Sequence, residues 1–194
     1  MKNICIFCGS RLGNKNIYKT VAEELASELV RNSMGLVYGG GKIGMMGTIA
    51  DKAIMEGGKV IGVIPHFLMQ MEVAHNNLTE LHVVDSMHER KAMMYKISDA
   101  FVALPGGFGT LDEFCEIITW SQLEVHQKPM AILNVNSFFD QLVGQFQHAV
   151  NEGFVHEGYM KNIIITNSVS ELLPLLKSYE RKSISINKWN EEEK

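Results

Sequence analysis

Several things are missing from this chain of 194 residues, and each absence narrows what it does. Basic charge is short: 18 Lys and Arg stand against 22 Asp and Glu, a net charge of -4, so no electrostatic footprint for a nucleic acid is present. Cysteine is short too. Cys5, Cys8 and Cys115 are too few for a disulfide framework and fit a reducing compartment. Cys5 and Cys8 spell CxxC, but inside an apolar run that reads as a strand, where residues three apart point to opposite faces; a redox or zinc role is a poor fit. Long apolar runs are absent. The start, MKNICIFCGS, is too short in its apolar part for a signal peptide, and NKNIYKTVAEELASELV after it is amphipathic rather than membrane-spanning, so a cytoplasmic location without membrane attachment is the default expectation. The histidines are scattered, with no HExxH and no Cys/His cluster, so no metal site is expected, and no GxSxG elbow occurs.

What is present is the composition of a soluble globular protein, 46% hydrophobic and 21% charged, with no linker-like stretch to divide it. Apolar runs bounded by glycine or proline alternate with amphipathic stretches, the pattern of parallel strands and covering helices. NICIFCGS, GLVYGG, KVIGVIP, LHVVD, DAFVALPGG, PMAILNV and NIIIT read as strands, and helices are expected at about 15–32, 44–57, 87–97, 110–123, 137–150 and 168–178. The expectation is an α/β fold: a doubly wound, Rossmann-like parallel sheet of about seven strands with helices on both faces. It forms one domain over 1–178, and 179–194 reads as a polar tail, solvated or disordered, in which Trp189 alone is a candidate for docking.

Ligands of such folds gather at the carboxyl ends of the strands. Three turns rich in small residues lie there: CGSRLG with Ser10, YGGGKIGMMG with Gly40 and Gly41, and LPGGFGT. The second is neither a P-loop nor a dinucleotide fingerprint: no Gly-Lys-Ser/Thr occurs, and no acidic residue ends a strand about 20 residues on. Its glycines suit either close approach to a ligand or tight strand-to-helix packing, and the sequence does not choose.

PGGFGT is the better candidate. Gly106, Gly107 and Gly109 can adopt positive φ and turn successive N–H groups toward one point, Thr110 adds a hydroxyl, and a helix beginning at Leu111 adds its dipole; together these would cradle a phosphate. Yet Asp112, Glu113 and Glu116 follow at once, acids beside an anion site. Thr110-Leu111-Asp112-Glu113 has the spacing of a capping box, in which Glu113 reaches back to the Thr110 N–H. Leu111, Phe114, Cys115 and Ile118 would form the buried stripe, with Glu113 at its rim where a cleft would open. Upstream, MHERKAMM offers Arg90 and Lys91, which by composition alone belong at a surface but which, at the cleft mouth, could pair with Glu113 or an oxyanion.

GGGKIGMMG at 39–47 and PGGFGTLDE at 105–113 resemble the paired GGGxxGxMG and PGGxGTxxE motifs of the LOG proteins, the cytokinin riboside 5′-monophosphate phosphoribohydrolases. The resemblance runs through ERKAMM and EIITWSQLEVHQKPMAILNV and covers nearly everything from Ile4 to about Leu176. It implies a Rossmann-like domain, a homodimer, no cofactor, and hydrolysis of the N-glycosidic bond of an adenosine monophosphate, with or without an isoprenoid group on its exocyclic amine, to free base and ribose 5-phosphate. By position it places the catalytic arginine and glutamate on Arg90 and Glu113. Nucleotide contacts fall on Glu72, Arg90, Lys91, Gly107, Phe108, Gly109, Thr110, Leu111, Asp112, Glu113 and Thr119, beside Gly106 of the cradle. Arg11 stands where the family commonly has serine, Met45 where leucine is frequent, and Asp112 where glutamate is common. The same proteins have been labelled lysine decarboxylases, but no lysine here has a pyridoxal-phosphate setting. A nucleotide or molybdenum-cofactor carrier on the same scaffold is the alternative, and it would need the phosphate cradle but not the acid.

Overall fold

The computed structural model describes residues 1–69 and 74–182. In chain order the elements are β1 (Asn3–Phe7), α1 (Asn16–Arg31), β2 (Gly35–Tyr38), α2 (Gly44–Met55), β3 (Val60–Pro65), β4 (Glu80–Val84), α3 (Met87–Ile97), β5 (Ala100–Ala103), α4 (Phe108–Gln122), β6 (Met130–Leu133), α5 (Asp140–Asn151), α6 (Glu157–Met160), β7 (Ile163–Thr166) and α7 (Val169–Lys177). All seven expected strands form one sheet in the order β4-β3-β2-β1-β5-β6-β7, and every pairing is parallel. The chain winds outward from β1 to β4, then returns beside β1 with β5 and winds the other way. The topological switch therefore falls between β1 and β5, where such sheets open a crevice.

Side chains alternate across each strand and sort into two cores. Ile4 and Ile6 of β1 pack with Leu25 and Leu29 of α1, Ile49 of α2 and Leu172 of α7. Cys5 and Phe7 face the opposite way, toward Met94 of α3, Phe114 and Ile117 of α4, and Phe139. The two cysteines of CxxC are divided as their spacing requires: Cys5 lies in the α3/α4 core and Cys8 in the α1/α2 core. Burial, and after it the charge of Glu113, pushes the Cys5 thiol well above its ordinary pKa, which makes it an inert packing residue.

Three expectations need correction. The helix carrying the second glycine motif begins at Phe108, not near Leu111: Gly107 is its N-cap, extended at φ -100° and ψ -154° with no side-chain cap. Thr110 is thus the third helical residue, and the Thr110–Glu113 capping box does not exist. A capping pair does occur one helix earlier, where Ser86 Oγ accepts from Glu89 N–H at 3.1 Å and Glu89 Oε2 accepts from Asp85 N–H at 3.0 Å. This pair fixes the first turn of α3, which carries Arg90. Part of the expected tail is also held by the domain. Lys182 has its N–H and C=O both held by the Asn162 amide, at 2.9 and 3.2 Å, and Arg181 donates to Ser121 O at the end of α4 at 3.1 Å. Trp189 lies outside the described residues.

Candidate functional site

The buried face of α4 differs from the expected stripe. Thr110, Glu113, Phe114, Ile117 and Ser121 are the buried residues, while Leu111, Cys115 and Ile118 are half-buried flanks. Glu113 therefore lies inside the stripe rather than at its rim, only 8% exposed. A carboxylate there needs a cation.

Arg90 supplies it. Composition would leave this residue in solvent; the fold buries it to 5% exposure. Its Nε donates to Val63 O and its Nη2 to Gly39 O, both at 3.1 Å, so the guanidinium is fixed across the carboxyl ends of β2 and β3. Nη1 then lies 3.8 Å from Glu113 Oε1, an ion-pair separation longer than a direct hydrogen bond. Space for the guanidinium comes from Gly39, whose added Cβ would collide with Nη2.

Lys91, one residue on, is used differently. Its Nζ sits 3.2 Å from Asp112 Oδ2 and 3.1 Å from Glu116 Oε1. Burial pulls its pKa down, but hydrogen bonds and attraction to Glu116 and Asp112 outweigh that and raise it above the ordinary lysine value. It is the reverse of the neutral, desolvated lysine that forms a Schiff base. The three acids after the glycine loop are thus matched by two adjacent cations of α3: Glu113 by Arg90 on the buried side, Asp112 and Glu116 by Lys91 nearer solvent. Thr119 shares the face of Asp112 and Glu116 by helical spacing, is exposed, and donates its hydroxyl to Cys115 O at 2.8 Å.

The glycine loop differs from expectation in one respect. None of Gly106, Gly107 and Gly109 has a positive φ; Gly13, Gly40 and Gly44 do, as do Gly57 and Gly153. What the loop glycines provide is space. A Cβ on Gly106 would collide with Thr110 Oγ1, whereas Cβ atoms on Gly107 and Gly109 would meet nothing within 4 Å. Above those two open glycines the N–H groups of Phe108, Gly109 and Thr110 find no acceptor among the described residues. Three unanswered donors at the start of a 15-residue helix form an anion-receiving surface.

The other glycine turn is committed to the protein itself. Gly9 O accepts from Met45 and Met46 N–H at the start of α2, Gly40 O accepts from His75 N–H, and Gly41 pairs in a single bridge with Ala74. Gly40 and Gly41 are both buried. Glu72 lies outside the described residues.

At the β1/β5 switch the structure also holds a cavity of about 630 Å³, walled by the 9–13 turn with Ser10, by Tyr18 and Met45, by Gly106, Gly107 and Phe108, and by Phe138. Arg90 and Glu113 do not line it. Met45 and Tyr18 belong to the α1/α2 core, whereas Val63 and Phe114, neighbours of the ion pair, belong to the α3/α4 core. Cavity and ion pair thus flank the carboxyl edge of the sheet from opposite faces, with the 105–108 loop between them. Ser10, Gly106, Gly107 and Phe108 of its walls are residues that the sequence predicts for the site; Tyr18 and Phe138 are not. The Gly13-to-Tyr18 spacing was a signal for it; Phe138 left none.

Fold and site together define a Rossmann-like α/β protein with an anion-receiving loop beside a buried arginine–glutamate pair. The chain belongs to the family of the cytokinin riboside 5′-monophosphate phosphoribohydrolases. It is 46% identical over 195 residues to the phosphoribohydrolase LOG1 of Arabidopsis thaliana, covering 99% of this chain and 92% of the relative. It is 42% identical over 178 residues to the cytokinin riboside 5′-monophosphate phosphoribohydrolase of Rhodococcoides fascians, covering 91% and 90%. A family model described as "Possible lysine decarboxylase" matches residues 46–176. Among solved structures, the Moco carrier protein from Chlamydomonas reinhardtii superposes with a TM-score of 0.68 at 18% identity, over 91% of this chain and 95% of that one. The molybdenum cofactor binding protein from Rippkaea orientalis gives 0.68 at 21% identity, over 92% and 97%. At such identities the structural likeness is one of fold.

Proposed function

We propose that this protein hydrolyses the N-glycosidic bond of adenosine 5′-monophosphate or its N6-substituted forms, releasing an adenine-type base and ribose 5-phosphate. The observation that carries this reading is the buried Arg90–Glu113 pair within two turns of three unanswered N–H donors. The 5′-phosphate would rest on the start of α4 over Gly107 and Gly109. Breaking a ribose–purine bond builds positive charge on the sugar, and Glu113 is the anion placed to stabilise it and to orient or deprotonate the attacking water. Arg90, held by two carbonyls, presents its positive charge to Glu113 at ion-pair distance. Lys91 and Thr119 are the further contacts that the family resemblance supplies: Lys91 reaches from α3 to Asp112 and Glu116 on the outer face of α4, the face that Thr119 shares.

The near full-length relatives named as phosphoribohydrolases support the hydrolase over the carrier, and so does the acid, which a carrier has no use for. Assaying ribose 5-phosphate from AMP and from isopentenyl-AMP tests the reading. Glu113→Gln should lower turnover by about 10²–10⁴-fold with nucleotide binding retained. A folded variant that releases base at the wild-type rate would sink the assignment, and tight binding without turnover in the wild type would favour the carrier.

A homodimer is the expected assembly, to be checked by light scattering. Of its two candidate faces, the half-buried Trp120 packs edge-on against Tyr95 at 5.1 Å, and 67–73 is described only as far as residue 69. A cytoplasmic setting is consistent with three free cysteines.

A further inference from the structure

The cavity at the β1/β5 switch is left without a task by the hydrolytic pair. Its volume, about 630 Å³, lies within the range of small-molecule sites. Its walls are chemically selective: the rings of Tyr18, Phe108 and Phe138 and the side chains of Leu12 and Met45 suit a flat apolar group, while the exposed guanidinium of Arg11 suits an anion.

The backbone around it is shaped for the purpose. Gly13 has φ +72° beneath Tyr18, and any side chain there would meet that ring at 2.9 Å. Across the cavity, Asn136 and Ser137 both adopt left-handed φ, 51° and 58°, a conformation that asparagine tolerates and serine rarely holds. Asn134 imposes it here, accepting from Phe139 N–H at 2.8 Å and donating to Asp140 Oδ1 at 2.7 Å. The consequence is that Phe139 is buried at 1% exposure while Phe138, 42% exposed, is turned toward the opening and meets Tyr18 edge-on at 6.0 Å.

We propose that this cavity is a second chamber of the nucleotide site, receiving the group attached to the outer side of the 5′-phosphate, so that the protein binds dinucleotides joined by a diphosphate. The proposal rests on the reading above in one respect, the phosphate at the start of α4. With the glycosidic bond directed to Glu113 on one face of the sheet, the phosphate's outward oxygen faces the cavity on the other. Gly106, Gly107 and Phe108 are walls of the cavity and the entry to α4 alike, so the two chambers share that loop. Arg11 would meet the second phosphate, and a second base would stack among the three rings.

Calorimetric titration of a Glu113→Gln protein, used to prevent turnover, with AMP, ADP and P1,P2-di(adenosine-5′) diphosphate tests this. The dinucleotide should bind at least about tenfold more tightly than AMP, with ADP between them. Leu12→Trp, which fills the cavity from an exposed position, should bring the dinucleotide-to-AMP affinity ratio to about one, and Arg11→Ser should remove the advantage of ADP over AMP. A dinucleotide no tighter than AMP overturns the second chamber while leaving the phosphate placement intact, as does a ratio that survives both substitutions. Absence of AMP binding overturns both.

Discussion

Two glycine-rich turns, GGGKIGMMG and PGGFGT, look alike as sequence and are used in opposite ways. The first is filled by the protein. Gly39 makes room for the Arg90 guanidinium and accepts a hydrogen bond from it, and a Cβ on Gly47 would collide with the Lys42 carbonyl. Two of the donors at the start of α2, the Met45 and Met46 N–H groups, are taken by Gly9 O. The second turn is left open among the described residues, with bare space over Gly107 and Gly109 and three donors unanswered at the start of α4. Glycine at a strand-to-helix turn is therefore no guide by itself to a ligand; what decides is whether another part of the chain occupies the space that the missing Cβ leaves. Arg90 joins the two turns, anchored in the first and paired with the glutamate behind the second.

Removing that link should give the largest effect. Arg90→Ala leaves Gly39 O and Val63 O without their buried donor and Glu113 without its cation, a loss of about 3–5 kcal/mol by analogy with broken buried pairs. For a protein of this size the melting temperature should fall by roughly 6–20 °C, and turnover should vanish with it. Arg90→Lys keeps the charge but not the planar fork, so it should recover stability in part and activity hardly at all. A melt within a degree or two of wild type would show that the first turn does not depend on Arg90.

The comparison is sharpest with one substitution made in each turn. Gly39→Ala places a methyl against Arg90 and Met46 and should cost about 1–3 kcal/mol through overpacking. Gly109→Ala, in the first turn of α4 with open space around it, should leave stability unchanged or raise it by up to ~1 kcal/mol, as alanine replaces glycine in a helix. It should nevertheless weaken AMP binding tenfold or more by covering the donors. Denaturant midpoints and a binding titration on both variants decide the matter. Equal destabilisation of the two would remove the distinction between filled and open glycines.

The parts legible in the sequence are those set by local periodicity and chain order. Seven strands, their parallel pairing, six long helices and the burial of Cys5 and Cys8 on opposite faces all followed from patterns of two and of three to four residues. The illegible parts are set by contacts between distant segments. Nothing in MHERKAMM distinguishes Arg90 from Lys91; their fates part because Gly39, 51 residues away, leaves a space that only one of them reaches. The Thr110–Glu113 spacing suits a capping box, but the helix begins at Phe108 with Gly107 as its extended N-cap, which leaves Thr110 inside the first turn. Ser86 and Glu89 carried the same signal with less notice, since no glycine motif drew attention to them.

The smallest expected effect belongs to Lys91, and it divides two neighbours that the sequence treats as a pair. Lys91 bridges Asp112 and Glu116 near solvent, so Lys91→Met should cost at most about 1 kcal/mol, a fall of roughly 2–4 °C in melting temperature. Its pKa is raised in the folded state above the reference value of 10.5, because its two carboxylates outweigh its burial. A group raised in this way gives its full stabilisation below the unfolded-state pKa and loses it as pH rises through the folded one. The gap between wild type and Lys91→Met should accordingly stay constant from about pH 6 to pH 9 and close above about pH 10. If instead the variant raises KM for AMP many-fold while its melt is unchanged, Lys91 contacts the nucleotide and the outer face of α4 joins the site. The open turn would then extend further along the helix than its unanswered donors indicate.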